Sequence, residues 1–243
     1  MEATEYRFMA EHEDRHWWFV GRRAVLATLL DGLVLPAGAR ILEIGCGTGG
    51  NLPLLGRYGR VTALEMNGDA RAFARQKTGV DVRDGTLPQN LPFVGECFDV
   101  VCLFDVLEHV TDDRAALAAI AGLLAPGGCL LLTVPAHQWL WSVHDEHLHH
   151  RRRYSRASLR RLLVAGGYAV ERTSFFNALL FLPMVAVRLA DRWLGRSTAS
   201  GPALPPPVAN RLLTSMFGAE AHWLRRRNLP FGLSLLALAR RAG

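Results

Sequence analysis

Apolar and polar positions fall in alternating blocks over the first two-thirds of the chain. ARILEI (39–44), VTALE (61–65), VDVR (80–83), FDVVCLF (98–104) and CLLLTVP (129–135) are short runs, mostly apolar. The apolar runs of this length predict strands buried on both faces. Between them the pattern relaxes to helical spacing: a short helix through NLPLLGRY, then GDARAFARQK (68–77), then DDRAALAAIAGLLA (112–125), which Pro126-Gly127-Gly128 should stop. Strands alternating with helices predict an α/β fold, a mostly parallel sheet covered by helices on both faces. Ligands then bind beyond the carboxyl ends of the strands.

The pattern changes at both ends. Residues 3–14 and 21–33 read as helices separated by HWWFVG. After the fifth strand, WLWSVHDEHLHHRRRYS is polar, aromatic and irregular. SLRRLLVAGG (158–167) reads as a helix, YAVERTSFF (168–176) as a strand and 177–195 as an apolar helix. GRSTASGPALPPP (195–207) reads as a loop, 208–226 as another helix and 231–241 as a last strand. The expected organisation is one domain, 1–243. It comprises an N-terminal helical cap (1–35), a cofactor-binding core (36–176), a helical lid insertion (177–230) and the last strand (231–243).

Composition narrows the picture. Half of the 243 residues are apolar, enough for one large α/β core. Cys46, Cys97, Cys102 and Cys129 form no C-x-x-C pair, and three sit in or beside apolar runs, as buried thiols do in a reducing cytosol. The N-terminus has no apolar signal core, and the longest apolar run, 178–187, falls short of the roughly 18 residues of a membrane span. A cytoplasmic protein is expected. The net charge of +6 is carried almost wholly by Arg and clusters only at 151–161 and 225–227, so no nucleic-acid partner is expected.

The chemistry starts at ILEIGCGTGG (41–50). Gly45, Gly47 and Gly50 spell G-x-G-x-x-G, and Glu65 follows about 20 residues on, which is the dinucleotide fingerprint. Gly45, Gly47 and Gly49 also spell G-x-G-x-G. A glycine turn between strand and helix brings backbone N–H groups close to an anion, whether a pyrophosphate or a carboxylate. The loop alone fits either cofactor. Three other features bear on the choice. Glu43 lies inside the first strand, where a negative charge does nothing for a pyrophosphate but can serve an ammonium group. Asp84-Gly85 follows the third strand, and FDVLEHV (104–110) ends the fourth.

The order LEIGCGTG, LE, DG, FDVVCLFDVLEH, APGG resembles class I S-adenosylmethionine (SAM)-dependent methyltransferases, of the branch that includes ubiquinone- and menaquinone-type enzymes. The resemblance implies a Rossmann-like seven-stranded sheet whose last strand is antiparallel and inserted beside the strand at 168–176. It implies that Gly45, Cys46, Gly47 and Gly49 cradle the methionyl part, with Glu43 serving its ammonium directly or through water. Glu65 with Met66 would hold ribose and adenine, Asp84 and Gly85 would meet the adenine, and Phe104 and Asp105 would line the pocket floor.

HWWFVGRR (16–23) and S-x-H-D-E-x-x-x-H-x-R-R-Y resemble a bacterial subfamily of these enzymes. The second pattern offers Trp139, Trp141, His144, Asp145, Glu146, His150, Arg152, Arg153 and Tyr154 around an acceptor. His144 is the expected general base for an oxygen acceptor; the alternative is that His144 and Asp145 tie the loop together, with Arg152 and Arg153 pinning it by ion pairs. HDEHLHH matches no zinc spacing, so no metal is expected. His109 is expected in the pocket wall. The apolar 177–195 segment suggests a prenylated or lipid-linked small-molecule acceptor with peripheral membrane contact, or equally a homodimer interface or lid packing. A catalytically silent SAM-binding subunit and, further off, an NAD-dependent oxidoreductase remain the rival functions.

Overall fold

Period-two alternation in the strands divides the interior into two cores, one on each face of a central sheet. The computed structural model describes residues 3–193 and 204–242. Its elements run α1 Ala3–His12, α2 Trp17–Leu30, β1 Arg40–Ile44, α3 Leu52–Leu55, β2 Arg60–Leu64, α4 Gly68–Thr78, β3 Asp81–Arg83 and β4 Phe98–Phe104. They continue with α5 Asp113–Ala121, β5 Leu124–Pro135, α6 Val143–His147, α7 Arg156–Ala165, β6 Tyr168–Phe176, α8 Phe181–Trp193, α9 Pro207–Leu224 and β7 Ser234–Arg241. The seven strands lie in the order β3-β2-β1-β4-β5-β7-β6. The first five are parallel, and β7 runs antiparallel between β5 and β6, pairing Cys129 with Arg240 and Phe176 with Ser234. The expected sheet is therefore the observed one.

On one face Leu42, Val101, Leu103 and Leu130 pack with Leu117 and Ile120 of α5 and Leu159 of α7. On the other, Ile41, Val100, Cys102 and Leu131 pack with Val25, Leu26 and Leu29 of α2 and with Phe217 and Leu224 of α9. Strand order reverses between β1 and β4, the crevice where ligands settle in open parallel sheets. Local signals set the helix ends around it. Asn67 caps α4 by accepting from the Ala70 N–H, and α4 stops at Gly79 with φ 69°.

Three boundaries differ from the sequence reading. HWWFVG is not a linker: α2 begins at Trp17, with the His16 ring accepting from the Trp18 N–H. The reason is tertiary, since Trp17 and Trp18 close on Phe217 of α9 with ring centroids 6.0 and 5.4 Å apart. The helix expected over 112–125 ends at Ala121, and β5 already starts at Leu124. Leu124 pairs with Phe98, and a register shift there lets Pro126-Gly127-Gly128 bulge out of the strand rather than precede it. The last strand begins at Ser234 instead of 231 because Leu233 still bonds back to Asn177. Residues 194–203, most of the expected 195–207 loop, lie outside the described residues.

The helices of the 177–230 segment behave differently. α9 is part of the core, docked on α2 so closely that a Cβ on Gly21 would sit 2.4 Å from the Phe217 ring. α8 stays at the surface, with Leu182, Val187, Leu189 and Trp193 exposed. No described helix is long and apolar enough to cross a membrane. Phe217 is fully buried and ringed by Trp17, Trp18 and Phe176. Phe217→Ala should therefore lower unfolding free energy by about 3–5 kcal/mol, measured by urea denaturation; a loss under about 1 kcal/mol would mean that α9 is not part of the core.

Candidate functional site: a cofactor turn and an acceptor chamber

The end of β1 turns sharply over three left-handed glycines, Gly45, Gly47 and Gly49, with φ of 73°, 55° and 86°. Gly45 and Cys46 donate to the Leu64 carbonyl, which ties the turn to the end of β2. A Cβ on Gly45 would lie 2.6 Å from Val106, so this position admits no side chain. Gly49 serves packing: its missing Cβ leaves room for Ala74 of α4. Glu65, 4% exposed, takes the Gly47 N–H on Oε2 and the Asn67 N–H on Oε1, each at 2.8 Å. Tyr6 of α1 donates to Oε1 at 3.4 Å.

Beneath the turn, Glu43 is buried and accepts from Asn51 Nδ2 at 2.7 Å. Its Oε2 accepts no hydrogen bond among the described residues. Burial pushes its carboxyl up to about 8, against the pull of Asn51 and Arg22. An orphaned buried acceptor behind a Cβ-free turn fits an amino-acid head group, with Asn51 as the relay between Glu43 and the cavity. Asp105, at φ 58°, is paired with Arg22 of α2.

These groups open on one cavity of about 710 Å³. Of the residues singled out in the sequence, Gly45, Cys46, Gly47, Glu65, Met66, Gly85, Phe104, Asp105 and His144 line it. Glu43, Gly49 and Asp84 do not. Asp84 is turned outward, 68% exposed and bound to Arg71 at 2.8 Å, so the wall beside Gly85 is made by Thr86 and Leu87 instead.

The far half of the cavity is built around Asp145, which is fully buried. It accepts from Arg153 Nε at 2.7 Å, Arg153 Nη2 at 3.0 Å, His150 Nδ1 at 2.9 Å and Ser142 N at 2.9 Å. His150 and Arg153 hold its carboxyl well below the usual carboxylate range despite burial. Arg152 pins the loop to Asp113, and Tyr154 donates to the same carboxylate. Glu108 and His109, on a single turn after β4, face His150. Burial raises the Glu108 carboxyl and lowers the His109 imidazole to about 4. Burial likewise lowers His144 to about 4, so its ring is neutral at physiological pH. Trp139 stands 48% exposed on the outside, and the Trp141 indole N–H donates to Glu146 at 3.4 Å.

Sequence reasoning missed the N-terminal clamp. Glu13, 2% exposed, accepts from Thr48 of the glycine turn and from Lys77 of α4, both at 2.8 Å. Arg23 holds the Glu13 carbonyl at 2.7 Å. Tyr6 and Met9 of α1 complete the cavity wall. The charged, amphipathic character of 1–18 was the available signal.

Residues 16–173 match the family model described as a methyltransferase domain. The chain belongs to this family. Its fold is that of class I SAM-dependent methyltransferases, and SAM is its cofactor. A curated relative from Mycolicibacterium smegmatis, described as a "Probable S-adenosylmethionine-dependent methyltransferase", is 31% identical over 66% of this chain and 62% of its own length. A ubiquinone biosynthesis O-methyltransferase of Xanthomonas axonopodis is 36% identical over 40% of this chain and 44% of its own. The chain thus matches under two-thirds of the length of either relative. Among solved structures, the complex of the Haloferax volcanii Trm112 methyltransferase activator with a methyltransferase contains a similar fold. It has a TM-score of 0.63 and 20% identity, covering 99% of this chain and 97% of that one.

Two outcomes follow from this geometry. Glu65→Gln leaves one backbone N–H facing an amide donor. It should weaken SAM binding by about tenfold, roughly 1.4 kcal/mol, in calorimetric titration, with about 1–3 kcal/mol lost from folding. Unchanged SAM affinity would show that Glu65 does not touch the cofactor. For Glu43, the unfolded carboxyl titrates near 4.5 and the folded one near 8. Between these values the folded state keeps a proton that the unfolded chain has released, so stability should fall as pH rises across that window. Glu43→Gln should flatten this slope in thermal melts of the SAM-free protein; an unaltered slope would place its origin elsewhere.

Proposed function

We propose that the protein transfers the methyl group of SAM to an oxygen of a small, hydrophobic acceptor. The observation that carries this is the continuity of the cavity, from the glycine turn and Glu65 to His144 and His150. When bound, SAM supplies an electrophilic methyl on a sulfonium: the acceptor oxygen forms the new O–C bond as the C–S bond breaks, leaving a neutral thioether.

The chain's own residues align and deprotonate. Gly45, Gly47 and Asn51 hold the amino-acid end, Glu65 the ribose diol, and the wall of Met66, Gly85 and Phe104 the adenine. Trp18, Phe19, Leu140 and Met184 give the acceptor chamber an apolar lining. His144, neutral at physiological pH, accepts the acceptor hydroxyl proton. Alignment carries most of the rate, and the similarity to ubiquinone biosynthesis O-methyltransferases supports oxygen as the acceptor atom.

α8 supports a lipid-linked or prenylated substrate. Met184 and Arg188 reach the cavity while Leu182, Val187, Leu189 and Trp193 face outward. A surface helix apolar on its outer side and bordering the substrate chamber suits entry from a membrane surface. Production of S-adenosylhomocysteine with lipid extract as acceptor tests the activity, and none with any extract would favour a silent SAM-binding subunit.

His144→Ala should lower turnover by about 10²–10⁴ with SAM affinity kept. The deficit should shrink as pH rises and the acceptor ionises unaided. Parallel pH–rate profiles, with turnover reduced less than tenfold, would retire His144 as the base and leave it a loop organiser.

A further inference from the structure

Glu108 and His109 come from the turn after β4, and His150 from the loop between α6 and α7. One ligand atom of each lies within 4.8 Å of the others. All three line the cavity. Glu108 is fully buried, and neither carboxylate oxygen accepts a hydrogen bond from another described residue. A bare buried carboxylate is costly, so this one either keeps a proton or is met by something positive.

The orientation of His150 says where that positive group belongs. Its Nδ1 donates to Asp145, which leaves Nε2 facing Glu108 Oε1 at 3.9 Å. A metal ion bonded to both at about 2.0–2.2 Å in a tetrahedral shell would hold them roughly 3.4 Å apart, so the pair needs to close by only about half an ångström. Asp145, itself gripped by Arg153, is the outer carboxylate that metal-bound histidines commonly hold through their second nitrogen. The ring of His109 meets that of His150 edge-on with centroids 4.8 Å apart, which places a third candidate ligand beside the pair.

We infer that Glu108, His109 and His150 bind one divalent first-row cation whose open positions face the acceptor. One carboxylate with two imidazoles suits Zn²⁺, Mn²⁺, Co²⁺ or Fe²⁺ rather than the all-oxygen shells of Ca²⁺ and Mg²⁺. The role of the cation rests on the oxygen-acceptor reading above, although its binding does not. The ion takes the acceptor hydroxyl oxygen as a ligand, the O–H proton passes to His144, and the electron pair stays on oxygen for the new bond to carbon.

The test uses the full chain after dialysis against a chelator. Calorimetric titration with Zn²⁺, Mn²⁺ and Co²⁺ should show one site, and Co²⁺ should develop visible absorption bands from bound imidazole. Glu108→Gln keeps shape and removes the charged ligand. It should weaken cation binding at least tenfold while the folded protein still binds SAM. His150→Gln is the second variant, with the same expected loss, in case Glu108→Gln fails to fold. Absence of a stoichiometric site for all three ions would overturn the inference and leave a proton, on Glu108 or on His150 Nε2, between the two groups. Equal affinity in wild type and in the folded variants would also overturn it. With an acceptor in hand, chelation should abolish transfer and Mn²⁺ or Zn²⁺ restore it; full transfer by the chelated enzyme would overturn the catalytic role. A bound cation in an enzyme that methylates nitrogen or carbon would sink the oxygen reading and leave the site standing.

Discussion

The half of the cavity proposed to take the acceptor hangs on one buried carboxylate. Asp145 gathers Arg153, His150 and the Ser142 N–H around its two oxygens, with no solvent exposure. Charged groups in a dry interior are tolerable only when such a set is complete, and removing one partner of a buried pair typically costs about 3–5 kcal/mol. The arrangement has directional consequences. Arg153 also reaches the Ala136 carbonyl just after β5, so the loop that carries His144 and His150 is tied to the sheet. His150 has its tautomer and its aim fixed by Asp145, and through His150 the turn bearing Glu108 and His109 is brought into the same chamber.

The cofactor half is organised by a different acid. Glu65 spends hydrogen bonds on the Gly47 and Asn67 N–H groups, and this sets the shape of the turn before any ligand arrives. Oε2 keeps a further lone pair and Tyr6 can yield its place on Oε1, so a diol can be taken without breaking the turn. Glu13 adds a second tie from outside by holding Thr48 and Lys77. α1 and the start of α2 thus close the cavity from above, with Tyr6 resting on Glu65. Turn, strand end and N-terminal cap form one preorganised unit.

Legibility in the sequence followed the range of the interactions. The strands, the glycine turn and Glu65 were readable because apolar blocks and a Gly-rich strand–helix junction are local patterns. The antiparallel last strand came from family resemblance and not from periodicity. HWWFVG misled as a linker because its helix is held by Phe217, about two hundred residues away in sequence and beyond any local rule. Asp84 misled because Arg71, thirteen residues earlier, turns it away from the pocket. HDEHLHH drew attention as a local metal motif and was set aside on spacing. The structure divides that stretch: His144 goes to the cavity wall, Asp145 to the buried ion cluster and His150 to Glu108 and His109. No local spacing rule could have joined residues 108 and 150.

Proton transfer ties the two halves together energetically. A phenol of ordinary acidity titrates near 10, and His144 is lowered by burial to about 4. Moving the proton outright from one to the other is uphill by about six pK units, roughly 8 kcal/mol. His144 therefore cannot ionise the acceptor in a separate step at a useful rate. Either the proton moves late, as the new bond to carbon removes charge from oxygen, or the oxygen is made more acidic where it sits. The first route needs only alignment, which the rigid turn and the tied loop provide. The second needs a positive charge within bonding distance of the acceptor oxygen. Arg22 and Arg153 are neutralised by Asp105 and Asp145, while Arg188 of α8 lies near enough to His144 to lower it further. The orphaned Glu108 and the Nε2 of His150 that faces it mark the place in the chamber where such a charge would be held.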